Sequence, residues 1–259
     1  MDRQRHLLWR PDGQGPWVLI DTGLSTSSDR IREFAALRFG DNVPPAAIVM
    51  THAHSDHAGS VESLASYWDV PVFAHPLEKA VSGGRGVLSS RRSAGRRRRH
   101  DLAIAALSAL ACRCAATAGN ATCRPDCAGD AGMGMAPYAG SPGHISLWRE
   151  SDRTLIAGAA IITTGQESAY EAIAQTPEIH GPPRYFTPDS QEAQKSVSLL
   201  ASLEPALIIS GHGRPIKGQY VRNQLHRLAV AFRDIAVPEG GRYDLDPAKA
   251  GKSASDTSR

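Results

Sequence analysis

The chain has 259 residues, 41% hydrophobic and 21% charged, with a formal net charge of +3 at pH 7. That composition excludes a chain disordered throughout and supplies apolar material for a real core. No run approaches the roughly 18 apolar residues of a membrane-spanning helix, and residues 1–10 lack a secretory apolar region, so a cytoplasmic location is expected.

Residues 17–21 (WVLID) form an apolar run ending in Asp21-Thr22-Gly23, which predicts a buried strand entering a turn. Ser27 and Ser28 are N-cap candidates for a helix carrying Ile31, Phe34, Ala35 and Leu37 at helical spacing, with Gly40 as its stop. After Pro44-Pro45, residues 46–50 (AAIVM) predict a second buried strand. It runs directly into Thr51-His52-Ala53-His54-Ser55-Asp56-His57-Ala58-Gly59-Ser60. A helix over about 60–67 and a strand over 70–74 follow. Strands alternating with helices argue for an α/β layered fold.

The histidine segment carries the chemistry. Neutral imidazole and carboxylate are good ligands for zinc and similar metals. Alternate residues of an extended segment point the same way, so His52 and His54 can converge on one ion. A tight turn then brings Asp56 and His57 round to a second position. The plainer alternative is a histidine-rich loop or a set of capping residues, and three His and one Asp at this spacing are hard to obtain that way.

Residues 82–140 differ from the rest. They hold nine Arg, no Lys and three Asp, together with all four cysteines, Cys112, Cys114, Cys123 and Cys127. Residues 85–100 are Arg, Gly and Ser with little apolar content, and the Ala-rich stretch 101–116 suits a short helix. The Arg cluster fits a solvated loop better than a nucleic-acid surface, because no aromatic residue is interleaved to stack on bases. The cysteine spacing, C-x-C-x8-C-x3-C, misses the paired C-x2-C knuckles of zinc sites and reads as free thiols.

In the second half, residues 145–148 (ISLW) and 154–157 (TLIA) predict two strands joined by a polar turn. A loop rich in Pro, His and Gly spans 176–188, where His180, Tyr185 and Phe186 are candidates for substrate contact or, more simply, for turn packing. Thr187 or Asp189 caps a helix running to about 203, with Val197, Leu200 and Leu203 on one face. Residues 206–210 predict a buried strand ending at Gly211-His212-Gly213. A histidine between glycines at a strand end has no packing role, which points to ligation. A final amphipathic helix is expected over about 220–235. Residues 1–236 are expected to form a single domain with 82–140 as an anomalous insert, and 237–259 a polar, flexible tail. Oligomeric state is not legible.

Residues 51–57 are similar to the HxHxDH signature of the metallo-β-lactamase-fold hydrolases. The context matches too, with Leu19-Ile20-Asp21-Thr22-Gly23 upstream and Ser210-Gly211-His212-Gly213-Arg214-Pro215 near the C-terminus. The resemblance covers roughly 7–81 and 141–236. It implies an αββα sandwich, two sheets between helices, with the metal site at one edge. It further implies zinc, up to two ions per chain: His52 and His54 on the first, Asp56, His57 and His212 on the second. Asp56 would move the proton, and Asp21 would steady the ligand loop, although the sequence reads Asp21 as readily as a turn former. The implied activity is hydrolysis of a small ester, thioester, lactone or β-lactam by a metal-activated hydroxide, with no membrane or nucleic-acid partner.

Two family positions depart from the pattern. The third histidine of the first metal belongs in a Thr-Pro-Gly-His segment. Here residues 137–144 read Pro-Tyr-Ala-Gly-Ser-Pro-Gly-His, and His144 matches the following histidine, not the usual ligand. The bridging Asp is replaced by Ala159. The expectation is therefore an impaired enzyme, with a catalytically inactive remnant of the fold as the alternative. His144 either substitutes as a ligand or hydrogen-bonds locally at a strand start; the second is the expectation. A reading at the level of the gene is also open. Shifting the codons by one base turns Met133 and Met135 into Trp and makes Tyr138-Ala139-Gly140 compatible with Thr-Pro-Gly. Much of 82–140 would then be translated out of frame, with the histidine codon deleted at the return.

Overall fold

Period-two alternation along the strands sorts their side chains into two directions, and the direction decides what each face packs against. In the computed structural model, which describes residues 7–9, 16–75, 78, 133–137, 143–165, 178–182 and 190–236, this sorting builds four layers. The Arg cluster, the cysteines, the helix expected over 101–116, Tyr185, Phe186, the Thr187 or Asp189 cap and the tail lie outside the described residues.

The first sheet runs β1 (Leu7–Trp9), β2 (Val18–Ile20), β3 (Ile48–Val49), β4 (Val72–Phe73), the first pair antiparallel and the others parallel. Its connections carry α1 (Ser28–Phe39), the short α2 (Ser55–Ala58) and α3 (Val61–Trp68). The second sheet runs β5 (Met133–Pro137), β6 (Ile145–Arg149), β7 (Thr154–Gly158), β8 (Leu207–Ser210), β9 (Ile216–Lys217), with only β7 and β8 parallel. Helices α4 (Ser190–Ser202), α5 (Gln219–Val230) and α6 (Phe232–Ala236) cover it.

Val18, Ile20 and Val49 point inward and meet Ile145, Leu147 and Ile156 of the other sheet. Their neighbours Leu19, Ile48 and Met50 point outward onto Ile31 and Ala35 of α1 and Leu64 of α3. Across the second sheet, Trp148, Leu155, Ala157 and Ile208 pack beneath Val197 and Leu200 of α4, Leu225 of α5 and Phe232 of α6. The order is helices, sheet, sheet, helices: the αββα sandwich. Trp17 closes one end, its ring stacked on Phe39 at 4.6 Å and its indole N–H donating to the Val43 carbonyl at 3.2 Å.

Several expectations need correction. The strands of the first half are shorter than their apolar runs, because pairing stops before the run does. Residues 133–137, inside the anomalous 82–140 stretch, pair with β6 from Met133 opposite Arg149 to Pro137 opposite Ile145. The final helix is two helices, broken at Ala231. Among the described residues, no helix is long and apolar enough to cross a membrane.

The parallel strands matter for function. Asp21 follows β2, Thr51 and His52 follow β3, Ala159 follows β7, and His212 follows β8. All five lie beyond carboxyl ends of strands, where open α/β sheets commonly place ligand sites. The Ile145 N–H donates to the Thr51 carbonyl at 2.9 Å and ties the sheets together there.

Candidate metal centre

Asp21 organises the first limb. Its backbone takes a positive φ of 56°, which short acidic side chains tolerate better than most. That turn aims the carboxylate at the end of β3. One oxygen accepts the Thr51 N–H at 2.8 Å; the other accepts the Thr51 hydroxyl at 2.7 Å and lies 2.8 Å from His57 Nδ1. Asp21 is thus both the turn residue and the steadying group, the two alternatives its sequence left open. Thr22 and Gly23 extend the grip: the Thr22 N–H and hydroxyl both reach the His57 carbonyl, and the Gly59 N–H reaches the Gly23 carbonyl.

These bonds fix the imidazole tautomers. A carboxylate only accepts, so His57 Nδ1 carries a proton, and in the neutral ring Nε2 keeps its lone pair. The Thr51 hydroxyl spends its proton on Asp21, so His52 Nδ1, 3.0 Å away, must be the donor in that pair. His52 Nε2 is then an acceptor, and it is buried with no hydrogen-bond partner.

The sequence expected Asp56 and His57 in a tight turn. They lie instead on α2, a single helical turn with His54 at its N-cap. His57 Nε2 faces His212 Nε2 at 3.4 Å, and Asp56 Oδ2 lies 3.8 Å from the first and 3.5 Å from the second. These three residues offer ligand atoms all within 4.8 Å of one another. His212 is set by its own backbone: its N–H bonds the Ser210 hydroxyl, and Thr163 donates to its carbonyl twice. Gly211 lets His57 come close, since a Cβ there would sit 2.5 Å from His57 Cε1.

His52 and His54 do come together, their rings edge to face at 4.6 Å, and the His52 ring lies 4.1 Å from that of His57. Burial, reinforced by His57, His144, His54 and His212, holds the His52 pKa far below its usual value. Burial lowers that of His54, with Asp56 opposing. Both imidazoles are therefore neutral near pH 7, the form that ligates.

His144 joins the cluster, 4.9 Å from His52 between ring centres. Its Nε2 accepts the Ala159 N–H at 2.9 Å, so that lone pair is already engaged in a local hydrogen bond at the strand start. Burial lowers its pKa to about 3. His180 pairs through its backbone with Ile162, and its ring is 3.6 Å from Glu178.

Two contributors escaped the sequence. Thr51 links Asp21 to His52, and its only signal is its place between strand and histidine. Glu78 is buried and accepts the Ala53 N–H at 2.8 Å from beyond β4.

The donor set suits a transition metal. Imidazole nitrogens and a carboxylate converge, with His57 Nε2 and His212 Nε2 3.4 Å apart beside Asp56. The orphaned His52 Nε2 is a further unspent donor.

Comparison with known proteins agrees. The profile of the metallo-beta-lactamase superfamily matches residues 7–112 and 127–212. The chain is 37% identical over 230 residues to the probable metallo-hydrolase YflN of Bacillus subtilis (strain 168), covering 87% of this chain and 86% of the relative. It is 29% identical over 234 residues to the probable metallo-hydrolase YybB of the same organism, covering 88% and 89%. Among solved structures, a metallo beta lactamase from Erythrobacter litoralis superposes with a TM-score of 0.52 at 15% identity, covering 87% of this chain and 83% of that one, a likeness of fold.

Proposed function

The chain belongs to the metallo-beta-lactamase superfamily, and from that membership we propose that it is a metal-dependent hydrolase of a small-molecule ester, thioester, lactone or β-lactam. Asp56, His57 and His212 would hold the principal ion, taken here as zinc, and His52 and His54 would offer a second, weaker pair. The observation carrying this reading is the face-to-face approach of His57 Nε2 and His212 Nε2 at 3.4 Å beside the Asp56 carboxylate, with the His57 proton pinned on the far side of its ring by Asp21.

Bound there, zinc supplies a Lewis acid that acidifies water and polarises a carbonyl. The protein's own groups do the rest. Asp21 keeps His57 in the ligating tautomer and takes up the charge its ring acquires. Asp56, partly open to solvent, would carry the proton on the carboxylate oxygen that does not hold the ion. The buried strand ends hold these groups in place, so little reorganisation accompanies the reaction. A cytoplasmic location belongs to the same proposal.

A second reading, a remnant that keeps the fold without the reaction, is favoured by one observation. Ala159 offers no donor where the family has its bridging carboxylate, and its N–H engages His144. Metal analysis and a panel of chromogenic ester, thioester, lactone and β-lactam substrates separate the two. About one zinc per chain with turnover abolished by His212→Ala supports the hydrolase. No retained metal and no turnover supports the remnant.

A further inference from the structure

Glu78 stands outside the ligand set, and its surroundings are unusual. The residue is 3% exposed. Its Oε2 accepts the N–H of Ala53, the residue between His52 and His54. Its Oε1 is buried with no hydrogen-bond partner among the described residues, an arrangement that costs stability. The space for this carboxylate depends on Gly143: a Cβ built there would lie 2.6 Å from Oε1, and the backbone at Gly143 has a φ of +91°. Glu78 therefore touches the ligand segment on one side and the approach to His144 on the other.

The backbone explains why such a group is needed. The ladder between β3 and β4 ends with the Met50 N–H on the Phe73 carbonyl. Thr51 beyond it is held by Asp21 and Ile145, and the His54 carbonyl receives the His57 and Ala58 N–H groups of α2. His52 and Ala53 link these anchors, and Glu78 holds the Ala53 amide. Rotation of that peptide would swing the two flanking imidazoles apart.

We propose that Glu78 is a positioning residue: through the Ala53 amide it sets the approach of His52 to His54, and with it the affinity of the histidine pair for a metal ion. Glu78 is not itself a ligand. The inference rests on the metal-binding reading of the site, and it asks only for a hydrogen-bond acceptor of the right reach.

The test compares Glu78→Gln, which keeps an acceptor at the same distance, with Glu78→Asp and Glu78→Ala, which do not. Zinc affinity is measured by chelator competition on the full chain, the cobalt(II) absorption spectrum reports coordination geometry, and amide exchange of Ala53 is followed in metal-free protein. Gln is expected to stay within about 3-fold of wild type in affinity, with the same cobalt spectrum and a protected amide. Asp and Ala are expected to lose about 10-fold or more, the range typical of groups that orient ligands, with an altered spectrum and a fast-exchanging amide. If Ala fails to fold, Gln against Asp decides. Equal binding by all variants overturns the proposal, as does a loss in Gln as large as in Asp, which would make Glu78 a ligand or an essential charge. Wild-type protein that binds neither ion overturns the metal-site reading itself, a different failure.

Discussion

The backbone N–H of Ala159 donates to His144 Nε2 at 2.9 Å. Ala159, read as standing in place of a family carboxylate, is thus bonded to the histidine that follows the expected ligand position. The bond gives the buried His144 ring a partner that no metal supplies, and it keeps the β7 terminus close to the β6 start. On the opposite side, Asp56, His57 and His212 bring their donor atoms together.

Asp21→Asn should invert the His57 tautomer. The amide oxygen can still accept the Thr51 N–H, but the amide nitrogen then faces His57 Nδ1 and donates to it. The imidazole proton moves to Nε2 and removes the lone pair facing His212. Zinc affinity should fall about 10–100-fold, with an unchanged circular dichroism spectrum. Wild-type affinity in this variant would falsify the tautomer argument.

Metal-free protein should lose stability as the pH falls below about 6.5. His144 is neutral in the fold, its pKa lowered to about 3, whereas in the unfolded chain it titrates near 6.5. Below 6.5 the unfolded state takes up a proton that the folded state refuses. Its stability is therefore complete above that pH and is lost progressively down to about 3, at about 1.36 kcal/mol per unit, or about 2 kcal/mol at pH 5. His52, depressed by the same burial, adds in the same direction. His144→Gln keeps an acceptor for Ala159 without titrating. Urea midpoints at pH 7.5 and 5.0, in chelator, should converge more closely in the variant; an equal drop in both proteins would sink the assignment.

The chemistry of the site was legible because it is local. His52, His54, Asp56 and His57 fall within six residues, directly after an apolar run, and His212 announces itself between glycines. The strands were legible as apolar runs such as residues 17–21, and the sandwich came from the resemblance carried by residues 51–57. What was not legible depends on tertiary contact. Glu78 acts through a single amide 25 residues away. Strand β5, Met-Gly-Met-Ala-Pro, has no β-branched residue and exists through its pairing with β6. The break at Ala231 has no Gly or Pro to mark it. The two-residue β9 is too short to show any periodicity.

Gly211→Ala should damage the site from behind. The new methyl would sit 2.5 Å from His57 Cε1 and 3.2 Å from Nε2. The ring cannot recede without breaking its 2.8 Å contact with Asp21. Overpacking of this kind costs about 1–3 kcal/mol, and the displaced nitrogen should weaken zinc binding at least about 10-fold. Thermal unfolding in chelator reads the first effect and chelator competition the second. Tight zinc binding in a stable variant would show that the ring has slack.

Rebuilding the two departures tests whether they stand at ligand positions. Ala159 follows β7 and is partly open to solvent, so an aspartate there can be accommodated without burying an unpaired charge. Its backbone N–H can go on serving His144 while the new carboxylate turns toward the donors. Ala159→Asp alone should raise zinc affinity, because a second carboxylate joins Asp56. A histidine inserted after Gly140 should then give His52 and His54 a third nitrogen and lift the stoichiometry toward two ions per chain. Hydrolysis of a thioester or lactone should rise with the second ion more than with the first, because two ions can hold both the attacking and the departing oxygen. If neither change raises zinc content or turnover, the two positions were misaligned with the family's ligands, and the reading of His57 and His212 as a site for a single ion stands by itself.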